Sequence, residues 1–512
     1  MIYSFTFIVF VSILLLLYYT VFQKRQWVLL LVGSCLFYLA NDYKYFAYMV
    51  FATWLTFAGA KKIERYAAEQ KEQIRIHKGE WSLEERKAYK ASQQKKKRLV
   101  VTLISVVCFG VLMLFKCTKF IPGGLLILPL GISFYTFQSI GYLVDVYRED
   151  CEAEKSFWRY ALFVTYFPAI IEGPIHRFSN LSVQFYRKHT CSFENIKSGV
   201  WLFIWGLFKK LVIADRLVVF VNRVFDQTIL PSGSVCVMAV FLFNIQLYAD
   251  FSGGIDMVRG VSQMFDITMA ENFKRPFFAQ SIGEYWHRWH ISLGDWIRDY
   301  VFYPLAISRT NLQFSKKLPV KSAHLKRTIP AGIISVITFL LIGLWHDVSL
   351  AYVAYGLWHG MLMACAEIFA PLIEKLNSFI GITGDSFSVR VARRIRTWLL
   401  VSVGETFTIA GSFGASVAVF RNIFTRFRWY DAFVQCTKWG LDGKDFVVII
   451  LAVLFWFYIS TQQEKGVCIR EHISRQPVLV QSLMTAGCLI LIAVFGIYGL
   501  GYDAANFIYG GF

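Results

Sequence analysis

The sequence predicts an all-α polytopic membrane protein. Three observations carry that reading. Of the 512 residues, 56% are hydrophobic and only 17% charged, against about 25% charged in an ordinary soluble domain. Apolar runs approaching the roughly 20 residues that carry a helix across a bilayer recur along the chain. Aromatic residues reach 17%, a surplus that suits lipid-facing helices and interfacial belts.

The elements follow in order. Residues 1–22 are apolar, without a basic leader or a small-residue cleavage site, and read as a first membrane helix and not a removed signal. Residues 27–40 and 43–60 come next, separated by Asn41-Asp42. Residues 61–98 are the most charged stretch, ending Lys95-Lys96-Lys97-Arg98, and read as a helical cytoplasmic loop. The basic bias then puts the N-terminus outside. Residues 99–115 span again; residues 121–147 are apolar but interrupted by Pro122, Gly123, Gly124, Pro129 and Gly131. Broken helices at membrane depth are tolerated only where they line protein or a cavity.

Residues 157–171, 199–220 and 235–248 are further candidates, with Lys209 and Lys210 interrupting the second. From 249 to 305 the chain is dense in Asp, Arg, His and Trp interleaved with apolar residues, a pattern for a segment in the interface or re-entering the membrane. Residues 308–327 form a basic loop, with Lys316, Lys317, Lys321, Lys326 and Arg327, expected in the cytoplasm. Spans resume at 330–345 and 348–369; 376–396 is polar and basic; 398–420, 446–458 and 478–500 close the series. The expectation is about eleven to thirteen helices, some not fully spanning. Without internal repeats, low-complexity tracts or linkers, a single membrane domain over 1–512 is the economical organisation.

The net charge of +19 fits the positive-inside bias of membrane proteins. A nucleic-acid partner would call for a basic soluble module, and none is expected. The ten cysteines are scattered without a C-x-x-C, so neither a disulfide framework nor a zinc site is expected.

Ionisable residues within a membrane domain are costly and are functional candidates for that reason. Two clusters stand out. The first runs Glu284-Tyr285-Trp286-His287-Arg288-Trp289-His290, then Asp295, Trp296, Arg298 and Asp299. An amphipathic interfacial helix explains its Trp and Arg residues but not His290, since Lys and Arg serve interfaces better. The second is Gly343-Leu344-Trp345-His346-Asp347, between two long apolar runs, with His359 further on. A core histidine bonded to a carbonyl stays open for His346, and is the preferred reading for His359. Histidine suits general-base work because its unperturbed pKa lies near neutrality. No metal is expected beside His346. No G-x-S-x-G, Walker loop or H-E-x-x-H occurs.

These residues resemble the membrane-bound O-acyltransferase (MBOAT) family, in the bacterial branch that acetylates alginate or transfers D-alanine towards teichoic acid. The matching stretches are Leu130-Gly131-Ile132-Ser133-Phe134-Tyr135-Thr136-Phe137-Gln138, Asp145-Val146-Tyr147-Arg148 and Gly173-Pro174-Ile175. Tyr248-Ala249-Asp250-Phe251-Ser252-Gly253, Asn272-Phe273, the 286–293 motif, Gly343-Leu344-Trp345-His346 and Asn506-Phe507-Ile508-Tyr509 follow. The stretch 128–370 is the most specific. Departures are Glu172 before Gly173-Pro174, His287 where Arg is frequent, and the closing Gly510-Gly511-Phe512.

The resemblance implies helices ringed around a central funnel or tunnel in a bacterial plasma membrane protein. It implies catalytic roles for His346 and its partner His290, with Trp289, Trp345, Gln138, Asp250, Ser252 and Arg298 on the substrate path. No bound cofactor is implied; the donor is an acyl thioester, acetyl-CoA or a phosphopantetheinyl carrier protein, on the cytoplasmic side. The expected partners are the lipid bilayer, an extracytoplasmic transferase or acceptor protein, and an envelope polysaccharide. Acetyl transfer is the first expectation and D-alanyl transfer the alternative. A transporter or flippase is the alternative of another class, since broken helices fit it too, and a scaffold for a soluble transferase is a third.

Overall fold

The computed structural model describes residues 2–120, 128–227, 230–382 and 384–498. Among them 79% are helical and none is in a strand. Among the described residues five helices are long and apolar enough to cross a membrane: Leu83–Cys117, Gly233–Met264, Ala323–His346, Gly443–Glu464 and Val478–Phe495. A sixth arises if Leu350–Ile368 and Ala370–Phe379, bent by 66° at their junction, count as one broken span. The protein is a multi-pass membrane protein.

The described residues cluster into two compact units, one within 2–199 with 258–270 and the other within 200–257 with 271–498. In the first, the helix Phe46–Ile76 packs on Leu83–Cys117 across a short turn, so the charged stretch 61–98 is helical as expected. Ser82 caps the second helix reciprocally with Glu85, the capping-box arrangement that satisfies two orphan N–H groups. Residues 157–171 are not one span. The chain breaks between Phe157–Thr165 and Phe167–Glu172, because Pro168 at the start of the second helix cannot donate to the turn before it. The Ile132–Arg148 helix is almost wholly buried. Residues 121–127, where Pro122, Gly123 and Gly124 suggested a break, lie outside the described residues, as do Asn506 to Tyr509.

In the second unit, residues 199–220 are interrupted as Lys209 and Lys210 suggested. Phe193–Leu207 gives way to a π-helical turn, Phe208–Ala214, and then to Asp215–Phe225. The boundary expected near 249 is absent: Gly233–Met264 is one continuous helix through Asp250, Phe251 and Ser252. The charge-rich stretch therefore becomes irregular only after 264, and continues as the short helices Ile282–Arg288 and Ile291–Ile297.

Two helices of this unit form a hairpin. Ala323–His346 is capped by Ser322 and Leu350–Ile368 by Ser349. Glycines allow the backbones to touch. A Cβ on Gly343 would collide with the Tyr352 carbonyl, one on Gly356 with the Phe339 carbonyl, and one on Gly360 with the Val336 backbone. Such close approach is how membrane helices pack when no hydrophobic force drives them together.

Candidate active site

His346 is the last residue of its helix, where the hairpin turns. It is 7% exposed. Its ring lies 4.5 Å from that of Trp345, 5.9 Å from Tyr352 in a stacked pose and 6.3 Å from Tyr355. Three aromatic faces thus limit its rotamers.

His290 joins the two short helices 282–288 and 291–297. It takes a left-handed backbone conformation, φ 45°, uncommon for a residue with a Cβ. The conformation turns the chain sharply between the helices. Hydrogen bonds on both sides hold it: Lys274 N–H donates to the Arg288 carbonyl (2.9 Å) and Ile291 N–H to the Asn272 carbonyl (3.0 Å). The Arg288 guanidinium ion-pairs with Glu464 (2.6 Å) and Glu284 (2.8 Å), and Arg275 pairs with the same Glu464 (2.6 Å). One carboxylate at the end of the Gly443–Glu464 helix therefore clamps both arms of the segment carrying His290.

The His290 ring is 3% exposed. It meets Phe251 edge-on at 4.9 Å and Trp345 at 6.5 Å. Trp345 therefore adjoins both His290 and His346. Burial pushes the His290 pKa down to about 3, with its own backbone carbonyl opposing, because a cation is poorly solvated in an apolar enclosure. The ring is neutral at physiological pH.

The other expected residues fall as follows. Trp289 stacks on Tyr285 (5.7 Å) and packs on Phe273 (5.0 Å), buttressing the turn. Asp250 and Ser252 flank Phe251 but engage the lysines of the π-helical turn. Lys210 meets Asp250 at 2.5 Å and Asp215 at 3.0 Å; Lys209 meets Asp256 at 2.7 Å and Ser252 at 2.9 Å. Arg298 pairs with Asp295 (2.8 Å) and Asp299 (3.2 Å). Gln138 is buried in the first unit. Asn272 and Glu464 hold the site and were given no role from the sequence. Asn272 stood in a matching stretch; Glu464 carried no signal, because its arginines lie far away in the chain. Among the described residues no group of His, Cys, Asp or Glu is placed to hold a metal ion.

The arrangement offers two buried imidazoles that both adjoin one indole, among aromatic side chains. Such a pair can take up a proton at one ring and donate a hydrogen bond from the other.

Residues 153–316 match the profile of the MBOAT, membrane-bound O-acyltransferase family. That segment holds Asn272 and His290 and ends before His346. The chain is 33% identical to "Probable alginate O-acetylase AlgI" of Pseudomonas syringae over 345 residues, 66% of this chain and 61% of that protein. It is 31% identical to a peptidoglycan O-acetyltransferase of Helicobacter pylori, over 49% of this chain and 50% of that one. It is 27% identical to a teichoic acid D-alanyltransferase of Bacillus subtilis, over 47% of this chain and 59% of that one. The chain thus spans about six-tenths of the length of the alginate O-acetylase it matches.

Proposed function

Because residues 153–316 are a membrane-bound O-acyltransferase family domain, we propose that the chain is an O-acyltransferase of the bacterial plasma membrane. It moves an acyl group, acetyl in the first reading, from a cytoplasmic thioester to hydroxyls of an envelope polysaccharide or an exported partner. The observation that carries this is Trp345 packed against both His346 and His290. A transporter has no need of two buried imidazoles against one indole.

A hydroxyl is a poor nucleophile until a base takes its proton. His346 is that base. The acceptor oxygen attacks the thioester carbonyl carbon as its proton passes to His346. The tetrahedral oxyanion accepts a hydrogen bond from His290. The C–S bond then breaks, and the departing thiolate recovers the proton from His346. No covalent acyl-enzyme is required. The exposed lysines of the 61–98 hairpin, Lys87, Lys90, Lys95 and Lys96 among them, supply positive charge to meet the donor's phosphates.

Acetyl is preferred because the O-acetylases are the more similar relatives, at 33% and 31% identity. D-alanyl transfer from a carrier protein is the second reading, favoured by the likeness to the D-alanyltransferase. The test offers labelled acetyl-CoA to membranes holding wild type, His346→Ala or His290→Ala, matched for amount and folding. Wild type labels an envelope polymer or exported partner, and His346→Ala lowers the rate by about 10²–10⁴-fold, the usual contribution of a general base. Label moving only from a D-alanyl carrier would select the second reading. Full transfer by folded His346→Ala would remove His346 as the base and favour a scaffold.

A further inference from the structure

Asn272 is fully buried and contacts the His290 ring. Its carboxamide orientation is fixed independently of the histidine. One amide atom lies 2.9 Å from the backbone nitrogen of Ser292 and 2.9 Å from the Ser292 hydroxyl. A backbone N–H only donates, so that atom is the oxygen, Oδ1. The other atom is therefore the NH₂ nitrogen, Nδ2, and it lies 3.2 Å from His290 Nδ1. Nδ2 also only donates. A hydrogen on Nδ1 would set two donors against each other, while Oδ1 is both farther off, at 3.4 Å, and engaged by Ser292. The His290 carbonyl, the other acceptor within reach of an Nδ1 proton, already takes the Gly294 N–H at 3.0 Å, whereas the buried Asn272 Nδ2 has no other hydrogen-bond partner among the described residues, so a proton on Nδ1 would leave that donor unsatisfied. In a neutral ring one nitrogen accepts and the other donates. Acceptance at Nδ1 satisfies the Asn272 amide and puts the proton on Nε2.

We propose that Asn272 is a positioning residue that holds His290 in the Nε2–H tautomer. His290 then serves as a hydrogen-bond donor to the developing oxyanion and takes no part as a base. This rests on the acyl-transfer reading for its function, but the tautomer itself stands on geometry alone. It separates the two imidazoles by role: His346 moves the proton, and His290 keeps its own. Asn272 does both parts of the work with one side chain. Its oxygen ties down the start of the 291–297 helix, and its nitrogen dictates the ring.

Asn272→Asp is the discriminating change. It is isosteric and keeps an oxygen for both Ser292 contacts, but places a second acceptor where Nδ2 donated. The ring then carries its proton on Nδ1, and Nε2 becomes an acceptor. The ¹⁵N shifts of His290 in full-length, histidine-labelled protein, assigned against His290→Gln, report the tautomer directly. Protonated Nε2 in wild type and protonated Nδ1 in Asn272→Asp are expected. Protonated Nδ1 in wild type overturns the inference, whether or not the protein transfers acyl groups. In the transfer assay kcat falls about 10²–10³-fold, as when one oxyanion donor is removed, while KM for the donor stays near wild type. A merely structural Asn272 would instead show wild-type kcat in the folded fraction, and that result also overturns the inference.

Discussion

The His359 ring is wholly enclosed, with Tyr355 at 4.7 Å, Trp286 at 5.0 Å and Phe339 at 6.2 Å. Neither ring nitrogen makes a hydrogen bond among the described residues. Its edge rests on Gly404, where a Cβ would collide with Nε2. Gly404→Ala is therefore expected to displace the ring and cost about 1–3 kcal/mol by overpacking, read as an earlier thermal transition of the purified protein. The contact of Trp286 with His359 should pass that displacement to the 282–288 helix beside His290. Single residues were partly legible in the sequence. His290 and His346 stood out as ionisable groups in apolar surroundings, and both are buried. Glu464 was not legible, because nothing local to residue 464 announces two arginines from another part of the chain.

The π-helical turn at 208–214 is the element whose effect outruns its length. An extra residue in the turn lets consecutive lysines both point inward, each to its own carboxylates. Removing one member of a buried ion pair strands the other charge. Lys210→Met leaves Asp250 and Asp215 buried without their cation, and should cost about 3–5 kcal/mol. Adding Asp250→Leu should recover part of that loss, measured as the melting temperature in detergent. Sequence reasoning read Lys209 and Lys210 as an interruption, which they are. The family resemblance implies Asp250 and Ser252 on the substrate path, and their contacts with these lysines are not legible in the sequence, because a π-turn leaves no periodicity to read. Hydropathy ends a span near 248 because charge begins there, although the helix runs on to Met264 with Asp250 and Asp256 paired to lysines inside the protein.

At the scale of the whole chain, hydropathy was enough for fold class, since a bilayer tolerates few other ways of satisfying so much backbone. It was less good at counting spans. Breaks such as that at Pro168 divide runs that look continuous in composition. The positive-inside bias gives a prediction for the whole molecule. The turn at 77–82, with exposed Lys78, should be cut by trypsin in inside-out vesicles and protected in right-side-out ones. Cleavage only in right-side-out vesicles would invert the topology.

The Glu464 clamp also bears on the order of synthesis. The segment 272–292 and the hairpin 323–368 leave the ribosome well before residue 464. Until then Arg275 lacks its carboxylate and Arg288 has Glu284 but not Glu464, and a charge without its partner resists burial. The arms beside His290 close only when the Gly443–Glu464 helix arrives. A nascent chain, or one truncated before that helix, carries both histidines with the segment around one of them still unlatched. The latch on that segment can therefore form only once most of the polypeptide is made.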